Sequence, residues 1–423
     1  MKFPTLARMA VKSACNRRAT LSLLVASIAL STVLLLGVER AWVQAREGFS
    51  QAISGTDLIV SAHGSGLELL LYSVFHLGSA TSNMKHHSAQ TISSWPEIEW
   101  AVPISLGDSH KGHPVVATTA NYFSHRHHRR DKGVAFKHGD IFDDVFDIVL
   151  GHEVAEKLDY PVGKKITLTH RADSKAHTIH HDDKPFTVVG VLEPTGTPID
   201  RSLFISLHAR TALHLNWSAD GPISGVVISP ERARKCNLEP KRVTALLLGL
   251  KKRSAVPTIQ RRIAEYTNEP LQAVIPGVSL NKLWRLVNVE EQILTCLSLL
   301  VLVAGLAGLA ASILVELEQR RRELAILRAL GAGPRDIVTL VIMESLVVTI
   351  LGIVCGVIAL ACLIEFGGGI VQELYGIVVT LSLPTVREWA IVGIILTAGF
   401  LAGLIPARKA YKMTLADGLN WNL

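Results

Sequence analysis

Residues 21–38, LSLLVASIALSTVLLLGV, run without a single charge. A helix rises about 1.5 Å per residue and a hydrocarbon core is roughly 30 Å thick, so this run predicts a membrane span. Residues 292–315 form a second uncharged run. Residues 338–364 and 389–406 follow, the former holding only Glu344, near one end. Four such runs restrict the fold sharply. In lipid every backbone N–H and C=O must be satisfied within the protein, and for segments of this length that means helices. The hydrophobic content of 49% is thus concentrated toward the two ends, with a long, more polar stretch between them.

Lysine and arginine set the orientation through their excess on the cytoplasmic side. Lys2, Arg8, Lys12, Arg17 and Arg18 precede the first span with no acid among them. Arg320, Arg321, Arg322, Arg328 and Arg335 follow the second span, and Arg408, Lys409 and Lys412 follow the fourth. With four spans these segments share one side, read as cytoplasm. The 365–388 connection carries Glu365, Glu373 and Glu388 against Arg387 and is expected on the other side. FPTLARMAVKSACNRR predicts an amphipathic helix on the inner surface. A signal peptide cleaved after Val43-Gln44-Ala45 is the competing reading. The apolar run is long for a signal core, and an uncleaved anchor is expected.

The formal net charge of +7 arises in part from this bias, and no nucleic-acid partner is inferred from it. Of the five cysteines only Cys236 falls within residues 45–285. That outer segment therefore has no internal disulfide and must rest on its own core, which about 240 residues can supply. Its pattern reads as α+β. TDLIVSA, KKITLTH and KPFTVVGVLEP predict strands, and DIVLGHEVAEKL predicts a strand turning through Gly151 into a short helix. RVTALLLGL, VPTIQRRIAEYTN and PLQAVIP predict strand, helix and strand, with Ile259, Ile263 and Tyr266 on one stripe. ERAWVQAREGFSQAI and SLNKLWRLVNVEEQ predict helices continuous with the first and second spans. After the second span, VELEQRRRELAILRALGAGPRD predicts a helical elbow that stops at Gly331-Ala332-Gly333 and restarts at Pro334, where a missing N–H costs nothing.

RRRELAILRALGAGPRDI followed by Glu344 resembles the cytoplasmic elbow of the FtsX/MacB-type permeases, in the type VII ABC superfamily. The layout of basic segment, span, large outer insert and three further spans resembles theirs as well. DLIV, TTANYF, VLGHEVAEKL and FTVVGVLEPTG resemble the outer domain of the macrolide-exporter branch, from which a histidine-rich insert departs. The resemblance implies an α-helical membrane protein with four transmembrane helices and an α+β extracytoplasmic domain between helices 1 and 2. Its parts would be residues 1–44, 45–285 and 286–423. It further implies a bacterial inner membrane, with the large domain in the periplasm. A separate cytoplasmic ABC ATPase would bind the ATP, and a second permease copy would complete a homodimer. The coupling residues would be Arg320, Arg321, Arg322, Glu323, Arg328, Gly331, Gly333, Arg335 and Glu344. The sequence itself contains no GxxxxGK[ST] phosphate loop.

All 17 histidines lie between His63 and His214. One cluster holds His125, His127 and His128. The other, HRADSKAHTIHHDDKP at 170–185, holds His170, His177, His180, His181 and Asp182. Imidazole and carboxylate are ordinary zinc ligands, and a set without thiolates suits Zn²⁺, Cu²⁺ or Ni²⁺. A solvated insert that merely tolerates histidine stays open as the alternative, because the signal is compositional. No HExxH is present, and His152-Glu153 lacks a second histidine four residues on, so a catalytic zinc is not expected.

Three function classes follow. The first is a permease subunit that mobilises or exports a periplasmic substrate, metal-linked, with no intrinsic cofactor beyond zinc on the loop and a periplasmic substrate-handling or metal-binding partner. The second is an FtsX-like signalling scaffold that activates a periplasmic partner such as a cell-wall hydrolase. The third, an enzyme, lacks any assembled catalytic motif, and the chain is expected to be non-catalytic. The span centres carry no charge to line an ion route, so transport through the bilayer is not expected.

Overall fold

Among the described residues lie the helices α1 (Arg18–Ala52), α2 (Leu207–Leu213), α3 (Pro276–Gln319), α4 (Pro334–Tyr375) and α5 (Val386–Lys412). All but α2 are long and apolar enough to cross a membrane. The computed structural model describes residues 18–78, 82–125, 133–170, 179–180, 183–218, 221–222, 228–319, 333–375 and 383–412. The chain divides into a membrane unit, residues 1–45 with 287–423, and an outer unit, residues 46–286.

In the membrane unit small residues bring the helices together. A Cβ built on Gly352 would lie 2.6 Å from Ile28 Cγ2, and one on Gly356 would lie 2.7 Å from Thr32 Cβ. A Cβ on Gly403 would meet Ser345 Cβ at 2.8 Å, and Ser345 Oγ donates to the Gly399 carbonyl at 2.8 Å. Close backbone approach and interhelical hydrogen bonds are what hold helices together in lipid, where apolar burial alone gives little drive.

The 365–388 connection is shorter than the sequence suggested. α4 continues to Tyr375 and takes in Glu365 and Glu373, because FGGGIVQELY has no proline to stop it. Glu388 is no loop acid either; it sits in the first turn of α5. Arg40, two residues past the first apolar run, grips its carboxylate through Nε–Oε1 at 2.8 Å and Nη2–Oε2 at 3.1 Å. Arg387 reciprocates with Glu39 at 3.5 Å. Glu388 also accepts the Thr385 N–H at 2.9 Å while Thr385 Oγ1 accepts the Glu388 N–H at 3.3 Å, a reciprocal cap on α5.

The outer unit is α+β. Its twelve-stranded sheet contains β1 (Leu58–Ala62), β2 (Ile98–His110), β3 (His113–Thr118), β4 (Phe136–Gly139), β5 (Asp147–Leu150), β6 (Lys165–Ile166), β7 (Thr169–His170), β8 (Ile179–His180), β9 (Phe186–Leu192), β10 (Leu203–Ser206), β11 (Ala245–Leu250) and β12 (Leu271–Val274). The path across the sheet is β12-β1-β11-β2-β3-β10-β5-β9-β4, with β6 on β9 and the β7–β8 pair on β2. β3–β10 and β5–β9 are parallel, and the other pairings are antiparallel. Leu58, Val60, Ile148, Phe186, Leu203, Ile205, Leu246 and Leu248 supply core positions from alternate residues of these strands.

Two predicted strands are broken. KKITLTH divides into β6 and β7 because the Thr167 carbonyl serves the His110 ring, at 2.6 Å. RVTALLLGL divides at Thr244, whose hydroxyl donates to Asn83 Oδ1 at 2.9 Å while Arg242–Val243 pairs with Met84–Lys85. The helix in VPTIQRRIAEYTN ends at Ala264 and buries Ile259 and Ile263, and Tyr266 falls beyond it.

Candidate functional site

β2 changes partner along its length. Its first half pairs with β11, its second half with β3 and β7. The change falls at a bulge between Ser105 and Asp108, where Gly107 adopts φ +139°, a conformation that side chains resist. Beyond the bulge Asp108 stands opposite His170 on β7. β3 returns from β2 through Lys111-Gly112, both at positive φ, as a two-residue hairpin requires.

α2 supplies the remaining residues. Ser206 Oγ accepts the Ala209 N–H at 3.0 Å and starts the helix. Arg210 and His214 are four residues apart, hence on one face. The far end of α2 is fixed by Lys184, whose fully buried ammonium donates to the Leu213 carbonyl at 3.1 Å and to Asn216 Oδ1 at 3.0 Å. A cation suits the negative end of a helix.

Asp108 is buried at the centre of the group. His170 Nδ1 lies 2.9 Å from its Oδ1, and His214 Nε2 lies 3.5 Å from the same oxygen. The two ring nitrogens are 3.4 Å apart. Arg210 Nε approaches the other oxygen, Oδ2, at 3.9 Å, and its Nη2 donates to the Leu106 carbonyl at 3.3 Å. The Trp217 ring meets both imidazoles edge-on, with centroids 4.7 and 4.9 Å away. Burial opposes ionisation of Asp108. The His170 hydrogen bond and the charges of His214, Arg210 and His170 outweigh it and bring the pKa down to about 2. Burial pushes His214 below its usual pKa, against the pull of Asp108.

Other histidines of the outer unit have plainer duties. His110 is held by the Thr167 carbonyl and the Tyr160 hydroxyl, His113 by the Arg201 carbonyl at 3.2 Å, and His76 by Ser202 Oγ at 2.7 Å. Of the described histidines, only His170 and His214 join a carboxylate in a group whose ligand atoms all lie within 4.8 Å of one another.

The candidate metal residues from the sequence thus divide. His170 is in the cluster. His180 lies on β8, paired with Thr169 across the hairpin, and His125 ends the helix Asn121–His125. His177, His181, Asp182, His127 and His128 lie outside the described residues. Asp108 and His214 escaped the sequence reading, because 62 and 44 positions separate them from His170 and only the β2–β7 register and α2 unite them. Of the residues expected to couple, Gly333 stands just before α4, its N–H donating to Asp336 Oδ2 at 3.0 Å. Arg335 lies in the first turn of α4, and Glu344 is buried further along it. Arg320, Arg321, Arg322, Glu323, Arg328 and Gly331 lie outside the described residues.

Residues 19–266 match the MacB-like periplasmic core domain, and residues 295–415 match the FtsX-like permease C-terminal domain. The chain belongs to the FtsX/MacB-type permeases. As a member of that family it is an ABC transporter permease and a multi-pass membrane protein with a periplasmic domain. It is 24% identical over 306 residues to the lipoprotein-releasing system transmembrane protein LolC of Neisseria meningitidis, covering 69% of each chain. It is 24% identical over 308 residues to the macrolide export ATP-binding/permease protein MacB of Nitrobacter winogradskyi, covering 72% of this chain and 43% of that one. The chain therefore spans less than half of that MacB relative. The periplasmic region of MacB from Actinobacillus actinomycetemcomitans aligns with 55% of this chain and 95% of its own, at 14% identity and a TM-score of 0.32.

Proposed function

We propose that this permease is the membrane subunit of an ABC complex of the bacterial inner membrane, in which a separate cytoplasmic ATPase drives movements of the periplasmic domain. Two copies form the working unit, and the movement mobilises or exports a periplasmic substrate without a route through the bilayer. The observation that carries this reading is the helical frame. α1 and α3 each run unbroken from an apolar span into segments of the outer unit, to Ala52 in one case and from Pro276 in the other. Relatives named for lipoprotein release and for macrolide export support a substrate handled on the outer side. The concentration of histidine in the outer unit supports a cargo or carrier that is metal-linked. Coupling falls to Arg320, Arg321, Arg322, Glu323, Arg328, Gly331, Gly333, Arg335 and Glu344.

The test is recovery of the tagged full chain from its native membranes, followed by measurement of ATP hydrolysis in the purified material. Hydrolysis should accompany the wild type. Arg328→Glu should lose it while membrane level stays the same. Wild-type material with no hydrolysis above that of membranes lacking the tagged chain would refute the reading.

A further inference from the structure

We propose that Asp108, His170 and His214 are three ligands to one divalent transition-metal ion, Zn²⁺ by the class of their donors. The site differs from the 177–182 stretch that the sequence brings forward, sharing with that insert only His170. It stands whether or not the spans are driven by ATP.

The first argument is size. Ligand atoms about 2.0–2.1 Å from a tetrahedral zinc are separated from one another by about 3.3 Å. The triangle formed by Asp108 Oδ1, His170 Nδ1 and His214 Nε2 has sides of 2.9, 3.5 and 3.4 Å. It is one face of such a tetrahedron before any ion is added.

The second argument is the tautomer. His214 Nδ1 lies 2.9 Å from the Arg210 carbonyl, which can only accept, so Nδ1 carries a proton and Nε2 is the nitrogen left to hold a ligand's lone pair in the neutral tautomer. That lone pair faces an ionised carboxylate oxygen. His170 Nδ1 lies 3.4 Å from that nitrogen and 2.9 Å from Asp108 Oδ1, so the proton it now carries occupies the place where the three ligand atoms meet and an ion would stand. A ring N–H given to a backbone carbonyl is also the usual outer support of a metal-bound histidine. His170 donates to Asp108 when the site is free. To ligate, it must carry its proton on Nε2, and its partly exposed ring lets solvent move that proton.

The third argument is how the carboxylate is divided. Arg210 stands on the Oδ2 side, leaving Oδ1 to the two histidines. One carboxylate and two neutral imidazoles leave a divalent ion with a net positive charge, and Arg210 adds to it. The fourth position therefore suits an anion: hydroxide, chloride, or a carboxylate from a metal-carrying protein. Three protein ligands and one open position make an exchangeable site, whereas structural zinc sites are closed by four.

The experiment uses the full-length protein in detergent, stripped with a chelator and titrated with Co²⁺ by absorption and with Zn²⁺ in competition against a chromophoric chelator. Wild type should show the visible bands of tetrahedral cobalt and bind one tight zinc ion at this site. His214→Ala should abolish the bands and lower the tight zinc stoichiometry by one, and Asp108→Asn, which keeps the side chain's shape, should weaken zinc at least tenfold. The H177A/H180A/H181A variant should retain the bands. Thermal unfolding without metal tests that each variant is folded. The proposal is overturned if wild type shows no tetrahedral bands. It is equally overturned if folded His214→Ala and Asp108→Asn bind as wild type does while the triple variant loses the ion.

Discussion

The two units solve the problem of polar side chains in opposite ways. In the membrane unit the strong ion pairs stand near the ends of the apolar segments. Glu39 and Arg40 follow the first apolar run, Arg387 and Glu388 begin α5, and Lys409 meets Glu318 near the ends of α5 and α3. Between them helices touch through Gly352, Gly356, Gly403 and the hydroxyls of Thr32 and Ser345. In the outer unit a few charged residues are brought deep inside. Asp108 and Lys184 are both buried, and each is surrounded by partners drawn from distant parts of the chain. The difference teaches a division of labour. The membrane unit packs its described helices through small residues and hydroxyls, while the outer unit gathers a preorganised polar centre around Asp108.

Breaking the membrane unit's own polar device should have the largest effect. Arg40→Ala leaves the Glu388 carboxylate without its bidentate partner, and stranding one member of a buried pair costs about 3–5 kcal/mol. We expect a clear loss of thermal stability in detergent. The swap Arg40→Glu with Glu388→Arg should recover part of it, because the pair would be remade across the same gap. Equal stability of Arg40→Ala and wild type would show that the clasp contributes nothing.

The outer unit should answer instead to metal. A ligand that binds only the folded state at 100 times its dissociation constant stabilises by about 2.7 kcal/mol. Zinc at that excess should raise the outer unit's unfolding temperature and leave the Arg40→Ala defect uncorrected. The same titration on sealed vesicles should show no ATP-dependent zinc flux, since the span centres carry no charged residue to line a route for a crossing ion. Flux, or a zinc effect that disappears in Arg40→Ala, would erase the contrast between the units.

How much of this was legible beforehand follows the same line. The spans, the helical continuations and the Pro334 restart were readable because their signals are local: uncharged runs, 3.6-residue periodicity, a proline after glycines. The sequence also shows histidine concentrated in the outer unit and offers His170 as a candidate ligand. Asp108 gave no sign. A lone aspartate in GDSH gains meaning only when the Gly107 bulge turns it toward β7, and register between distant strands is not written in local pattern. The acids of the 365–388 stretch were readable as a connection between spans but not in their local structure, since α4 extends over Glu365 and Glu373 and Arg40 holds Glu388.

Gly107 itself gives a sharper test of the outer unit. A Cβ there would find room, 3.5 Å from Arg210 Nη2 and 3.8 Å from His170 Cε1, but φ +139° is costly for any residue with a side chain. Gly107→Ala should therefore destabilise by more than about 1 kcal/mol through the backbone. It should also weaken zinc, because relaxing the bulge turns Asp108 away from His170. A variant that loses stability but keeps wild-type zinc affinity would detach the bulge from the site.

The smallest effect comes from a matched pair of helix caps, one in each unit. Thr385 caps α5 beside the ion-pair clasp, and Ser206 caps α2, which carries Arg210 and is followed at its C-terminal cap by His214. Replacing a cap hydroxyl with alanine costs typically about 1 kcal/mol, so Thr385→Ala and Ser206→Ala should look alike in chemical denaturation. They should part on metal. Loss of the Ser206 cap loosens the first turn of α2, while Lys184 still holds its far end at Leu213, so His214 stays roughly placed and zinc affinity should fall only a few-fold. Thr385→Ala should leave zinc affinity unchanged. If both caps shift zinc binding equally, the metal centre reports on general stability and not on the local frame of β2, β7 and α2. If Ser206→Ala alone shifts it, α2 is the element that sets the geometry of the site.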